Sequence, residues 1–254
     1  MCSPICLEAL YGSANRRSFV KKSMMAAAAV VCGARAASGA ALATPAAQQP
    51  KTFTTVLDLT HPLYEGFPTF DGSKWFTKEK KFTFAKEKLN INTWPINDFV
   101  VPLAVVDISQ RAQDDPDTAL TPDDIKQWEK KYERIPDGAV LAMFSGWDAH
   151  VNDARKFLGR DDKGTYHLPG FSLEAVQFLH EQRNVKGIGT DTLNLDAAAA
   201  GDFPVHHYWL GQNKWGLENL ANLGQVPPKR ATIVVGSPKI AGCTGGPSRV
   251  LALL

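Results

Sequence analysis

The sequence predicts an α/β protein: a single domain with a mixed β-sheet core and flanking helices. Three observations predict it. Two apolar runs, residues 100–108 and 139–144, read as strands buried on both faces. Segments opening at Thr121-Pro122 and at Ser172 carry helix-start residues followed by helical spacing of apolar side chains. Strands and helices alternate only in part, so the strand directions are mixed rather than all parallel. The 254 residues are 44% hydrophobic and 21% charged, which suits one ordinary globular core.

The first fifty residues read differently from the rest. Arg16-Arg17-Ser18-Phe19 places paired arginines ahead of a weakly apolar, Ala-rich stretch over residues 24–43, and Ala41-Leu42-Ala43 offers a small-x-small cleavage pattern. This predicts a twin-arginine export signal over residues 1–43, cleaved near Ala43, and a periplasmic protein. The apolar stretch is too short and too polar to span a bilayer, so no membrane association is expected after cleavage. Removing residues 1–43 leaves 23 basic against 25 acidic side chains. With no basic block interleaved with aromatics, nucleic acid is excluded as the expected partner and a small molecule is favoured. Of four cysteines only Cys243 lies beyond the signal, so no internal disulfide is available to the mature chain.

Residues 44–52 form a Pro/Ala/Gln linker, and the domain proper runs over 53–254. Residues 54–59 alternate as a strand. Pro62, Gly66, Pro68 and Gly72 mark a loop, and residues 75–89 alternate aromatic and lysine side chains as a strand pair. The run 100–108 is the first fully buried strand. A short amphipathic helix over 125–132 follows the Thr121 start, and 139–144 is the second buried strand. Ser172 caps a helix over 173–183 that turns Val176, Phe178 and Leu179 inward, and 185–189 is the third strand. Residues 217–223 read as a short helix or turn, and 231–235 and 250–253 as closing strands.

Common hydrolase signatures are missing: there is no G-x-S-x-G elbow, and His180-Glu181 lacks the second histidine of a zinc-protease helix. What stands out is a dense run of ligand-type side chains, Asp191, Asp196, Asp202, His206, His207 and Glu218. An imidazole and a carboxylate on neighbouring elements make half of a mixed N/O site for zinc or manganese, and a metal there would lower the pKa of bound water to about 7. The bland reading is a hydrogen-bonded surface pair. For His61, His150, His167 and His180, ordinary structural roles are the expectation.

Further motifs recur in a fixed order. Asp58-Leu59-Thr60-His61-Pro62-Leu63 opens the domain; Val101-Pro102-Leu103 begins the central strand; Ser145-Gly146-Trp147 makes a turn; Pro169-Gly170-Phe171-Ser172 opens a helix. Gly187-Ile188-Gly189-Thr190-Asp191, Phe203-Pro204-Val205-His206, Glu218-Asn219-Leu220 and Gly245-Gly246-Pro247-Ser248-Arg249 follow. Together they resemble the cyclase family of metal-dependent hydrolases, which includes bacterial kynurenine formamidase and isatin hydrolase. The resemblance implies a cyclase-like α/β domain, a homodimer or homotetramer, and hydrolysis of an amide, formamide or cyclic-imide bond in a small aromatic substrate. It implies a divalent metal held by His206 and Glu218, support from Asp191, and a substrate-facing turn at Ser145 and Trp147. The chain departs from the family in one place. The signature His-x-Gly-Thr-His-x-Asp-x-Pro, which brings most of the metal ligands, is absent where Trp94 meets Pro95, as though a contiguous segment had been deleted. The departure opens an alternative: a metal-free protein that keeps the pocket and performs no chemistry.

Overall fold

The computed structural model describes residues 53–61, 91, 93–239 and 244–254. The export signal, the linker, the strand pair expected over 75–89 and Cys243 lie outside the described residues. Strand β1 is Val56–Asp58. A 3-10 turn over Ile96–Phe99 leads into β2, Val100–Asp107, followed by α1 (Ser109–Asp114), β3 (Ala119–Leu120), α2 (Pro122–Lys131) and β4 (Val140–Phe144). Helix α3 is Ala154–Phe157, β5 Gly170–Phe171, α4 Leu173–Arg183, β6 Gly187–Thr190, α5 Pro204–Gly211, β7 Trp215–Leu217, β8 Ala231–Gly236 and β9 Arg249–Leu253.

Among the described residues, seven strands form one sheet in the order β1-β9-β8-β2-β4-β6-β7, and β3 pairs with β5 apart from it. The half from β1 to β2 is antiparallel, and the half from β2 to β7 is parallel. Parallel neighbours need a crossover, and α2, α4 and α5 supply one for each successive pair. The mixed α/β class expected from the sequence is what the chain adopts.

The strand period of two decides which residues meet which layer. Ala104, Val106, Leu141, Met143 and Ile188 face the helices and pack against Ile125, Trp128, Val176, Leu179, Val205 and Trp209. Leu103, Val105, Val140 and Ala142 point to the opposite face and meet Leu59, Leu220, Leu223, Ile233 and Ala252. Each fully buried large side chain of this kind stabilises by roughly 1.5–3 kcal/mol relative to exposure. The Trp128 indole N–H donates to the Val105 carbonyl at 2.8 Å, so its polar atom is satisfied inside the apolar layer.

The helix starts follow the sequence. Thr121 and Asp124 form a reciprocal capping box at α2. Ser172 accepts from the Ala175 N–H at 3.1 Å at α4, which ends on Asn184 in the left-handed region. Of the short helix or turn expected over 217–223, the helix does not form: Leu217 ends β7, residues 218–222 are non-helical, and a 3-10 turn spans Leu223–Gln225. Backbone pairing to β6 outweighs the weak helical spacing there. Helix α5 has no side-chain cap of its own, so only the Phe203-Pro204-Val205-His206 motif marks its start in the sequence. No helix of the described residues is long and apolar enough to cross a membrane.

Candidate functional site

The site is built where β4, β6 and β7 end. Met143 lies opposite Thr190 in the parallel pair, and just past it Ser145, two residues on, meets Asp191, one residue on. In open α/β sheets this carboxyl edge is where ligands gather. Asp191 has no solvent exposure. Its Oδ1 accepts from the Ser145 N–H at 3.0 Å and from Ser145 Oγ at 2.6 Å, and its Oδ2 accepts from the Trp147 N–H at 2.8 Å. Gly146 between them sits at φ 75°, a conformation that favours glycine. Asp191 is therefore the hub that holds the Ser145–Trp147 turn. Burial pushes its carboxyl up to about 6, with nearby Asp148 adding to the rise and the three hydrogen bonds opposing it.

Trp147 enters the site with its backbone rather than with its indole N–H. The ring is 8% exposed, packs with Phe157, Leu168 and Leu193, and donates Nε1–H to the Phe157 carbonyl at 2.9 Å. Ser145 Oγ has its proton committed to Asp191, which leaves the hydroxyl as an acceptor toward a ligand.

The second cluster joins Asp196, His206 and Glu218. His206 stands on the first turn of α5, and Glu218 follows β7, whose Leu217 pairs with Gly189. Asp196 Oδ2 meets His206 Nδ1 at 2.5 Å, and Glu218 Oε1 lies 3.3 Å from His206 Nε2. Asp196 also accepts from the Val205 N–H at 2.6 Å and the His206 N–H at 3.2 Å, so it caps α5 from outside the helix. Glu218 Oε1 accepts in addition from the Leu195 N–H at 3.1 Å. Burial by itself would lower the imidazole's pKa, but the hydrogen bonds and charges of Asp196 and Glu218 outweigh it and raise the group to about 9. Without a metal, His206 is thus an imidazolium between two carboxylates at neutral pH.

The two clusters share one wall. Thr192 O accepts from the Asn219 N–H at 2.8 Å and Thr190 O from the Leu220 N–H at 3.0 Å, tying the Asp191 segment to the Glu218 segment. Asp148 Oδ2 closes the same edge by accepting from the Asn222 N–H at 2.8 Å. Asp202 and His207, also in the ligand-type run, are exposed. His61 lies near Asp148 and stands edge-on to Phe157 at 6.2 Å; burial lowers its pKa, with Asp148 opposing. Asp196 was part of the run read from the sequence, but its role as cap and histidine partner was not legible, since it depends on a contact across ten residues.

The donor types at His206 Nε2 and Glu218 Oε1 suit a divalent metal, and a carboxylate on the far nitrogen of a ligating histidine is the usual way its ring is oriented. The number falls short. Catalytic zinc sites typically use three protein donors, and among the described residues no group of three or more His, Cys, Asp or Glu side chains is placed to hold a metal ion. The set does not fit a metal by itself.

The model of the Cyclase family, described as "Putative cyclase", matches residues 57–197. An isatin hydrolase of Roseibium aggregatum is 35% identical over 167 residues, which span 64% of this chain and 63% of that protein's length. Among solved structures, isatin hydrolase A from Labrenzia aggregata, bound to benzyl benzoate, superposes with a TM-score of 0.71 at 30% identity, covering 79% of this chain and 93% of that one. A protein described as a potential metal-dependent hydrolase with cyclase activity shares the fold at a TM-score of 0.57 and 20% identity, over 78% of this chain and 96% of that one.

Proposed function

Because the chain belongs to the cyclase family, we propose that it is a hydrolase of that family, opening an amide, formamide or cyclic-imide bond in a small aromatic substrate. The arrangement of Asp196, His206 and Glu218 beside the Asp191-held turn carries this reading. In it, His206 and Glu218 would hold a divalent metal, zinc or manganese, only together with a further donor beyond those the described residues bring there. A metal so held would supply the chemistry of a bound water made acidic near neutral pH. The chain's own residues do the rest. Asp196 keeps the Nδ1 proton and aims Nε2 at Glu218. Asp191 fixes the Ser145–Trp147 turn, where Ser145 Oγ accepts a hydrogen bond from the substrate. The proposal extends to a periplasmic protein exported by the twin-arginine route and assembled as a homodimer or homotetramer, with neither nucleic acid nor membrane as partner.

A second reading is favoured by one observation, the shortage of donors among the described residues: a metal-free protein that binds a small molecule and does not turn it over. Metal content by plasma mass spectrometry, with hydrolysis of isatin and N-formylkynurenine assayed before and after chelation, separates the two. About one metal per chain with chelator-sensitive turnover supports the hydrolase. A folded, metal-free and inactive protein sinks it.

A further inference from the structure

Trp147 is anchored through its surroundings. Its indole N–H is held by the Phe157 carbonyl, and its ring rests on Leu168. Phe157 and Leu168 are the two feet of one loop, residues 158–167, that folds back on itself: His167 N–H donates to the Gly159 carbonyl at 2.7 Å and Asp161 N–H to the Thr165 carbonyl at 2.9 Å. The fold-back is tight, since a Cβ on Gly159 would stand 2.2 Å from the His167 carbonyl oxygen. The Leu168 carbonyl in turn accepts from the Ala198 N–H at 2.9 Å. Whatever fixes this loop fixes the Trp147 wall.

One side chain spans the loop and the rest of the domain. His167 Nδ1 lies 2.8 Å from Asp117 Oδ2, on the segment leading into β3, and its Nε2 lies 3.7 Å from Asp161 Oδ2 within the loop. Asp117 is held by its own turn, with its N–H donating to Asp115 Oδ1 at 3.0 Å, and its Oδ1 is buried without a hydrogen-bond partner. Asp161 Oδ1 accepts from the Lys163 and Thr165 N–H groups at 2.9 and 2.8 Å. The other charged groups nearby are engaged elsewhere: Arg155 pairs with Asp162, Arg111 with Asp124, and Arg160 lies over Tyr166. Among the described residues the ring faces two carboxylates, those of Asp117 and Asp161.

We propose that His167 is a positioning residue for the candidate site: as an imidazolium it bridges Asp117 and Asp161 and locks the 158–167 loop under Trp147, and loss of its proton releases one side of the bridge. The inference rests on the reading of the Ser145–Trp147 turn as the substrate-facing wall, but the lock itself does not depend on turnover. An imidazolium donates to Asp117 at 2.8 Å and sets its second N–H and its charge 3.7 Å from Asp161; a neutral ring has one N–H and no charge, and its bare nitrogen then faces a carboxylate's lone pairs. Hydrogen bonding to Asp117 raises the imidazole's pKa above its usual 6.5, with desolvation opposing and Asp161 adding to the rise. The stabilisation is therefore complete below about 6.5 and is lost as pH rises through the raised folded value.

The test is amide and indole hydrogen exchange on the full domain at about pH 6 and about pH 9, corrected for intrinsic base catalysis. Protection of the His167 amide, the Ala198 amide and the Trp147 indole N–H is expected to fall by up to about tenfold at the higher pH. In His167→Gln and Asp117→Asn, protection should already be low at the acidic end and should no longer change with pH. Equal protection at both pH values in the wild type, or an unchanged slope in both variants, overturns the lock. A pH-dependent loop whose opening leaves the Trp147 indole protected overturns its link to the wall. If the lock holds while the protein proves metal-free and inactive, only the hydrolase reading falls.

Discussion

Asp191 carries a carboxylate into a place with no solvent exposure, and three N–H or O–H donors from Ser145 and Trp147 converge on it. Removing the acceptor leaves those buried donors unmatched, so Asp191→Ala should cost about 3 kcal/mol, read by urea unfolding. Its pH signature has a definite sign. With the folded carboxyl near 6 and an ordinary value of 3.8, the native state binds the extra proton between those values. The group's contribution to stability therefore falls as pH rises through that window and is level above it. Unfolding of Asp191→Asn against wild type across this range should show the difference, up to about 3 kcal/mol for a shift of this size; parallel curves would refute the assignment. His206 has the same sense in a higher window. Raised to about 9 between Asp196 and Glu218, it stabilises the metal-free protein fully below 6.5 and loses that contribution toward 9. His206→Ala should destabilise by about 3 kcal/mol at neutral pH, since it strands the buried Asp196 charge, and by less when both proteins are unfolded above pH 9.

At the scale of elements, the helices differ in how they begin, and that difference explains what could be read in advance. Helices α2 and α4 carry their own caps, Thr121 and Ser172, and both stand where the sequence put them. Helix α5 starts from Phe203 at φ 52° and is capped by Asp196 from a neighbouring segment, so its N-terminus has no local signature beyond Pro204. Thr121→Ala should lower stability by about 1 kcal/mol, because it removes the capping box that starts α2; equilibrium unfolding checks this. Strand β7 is the complementary case. Three residues with little β pattern become a strand because Gly187, Ile188 and Gly189 offer a free parallel edge, and a close fit follows, since a Cβ on Gly187 would meet the Trp215 ring at 2.6 Å.

For the whole molecule, the sheet's parallel half and its three crossover helices create the edge at which residues distant in sequence meet. Trp209 couples the pieces: fully buried, it donates Nε1–H to the Trp215 carbonyl at 2.9 Å and so fixes the spacing between α5, which bears His206, and β7, which leads to Glu218. Trp209→Ala should cost about 3–5 kcal/mol and should weaken any metal retention along with it; a variant that loses stability yet keeps full metal affinity would show that the spacing is set elsewhere. The sequence by itself determined the α/β class, the buried central strands, the capped helices and the family, because apolar period, cap residues and ordered motifs are local properties of the chain. It also singled out Asp191, His206 and Glu218 as a group worth attention. Only the tertiary structure decided that Asp196 rather than a metal-ligand motif partners His206, that Asp191 holds Ser145 and Trp147 by their N–H groups, and that His167 reaches Asp117. Those contacts join residues 10 to 50 positions apart, and sheet register brings them together where no local pattern can.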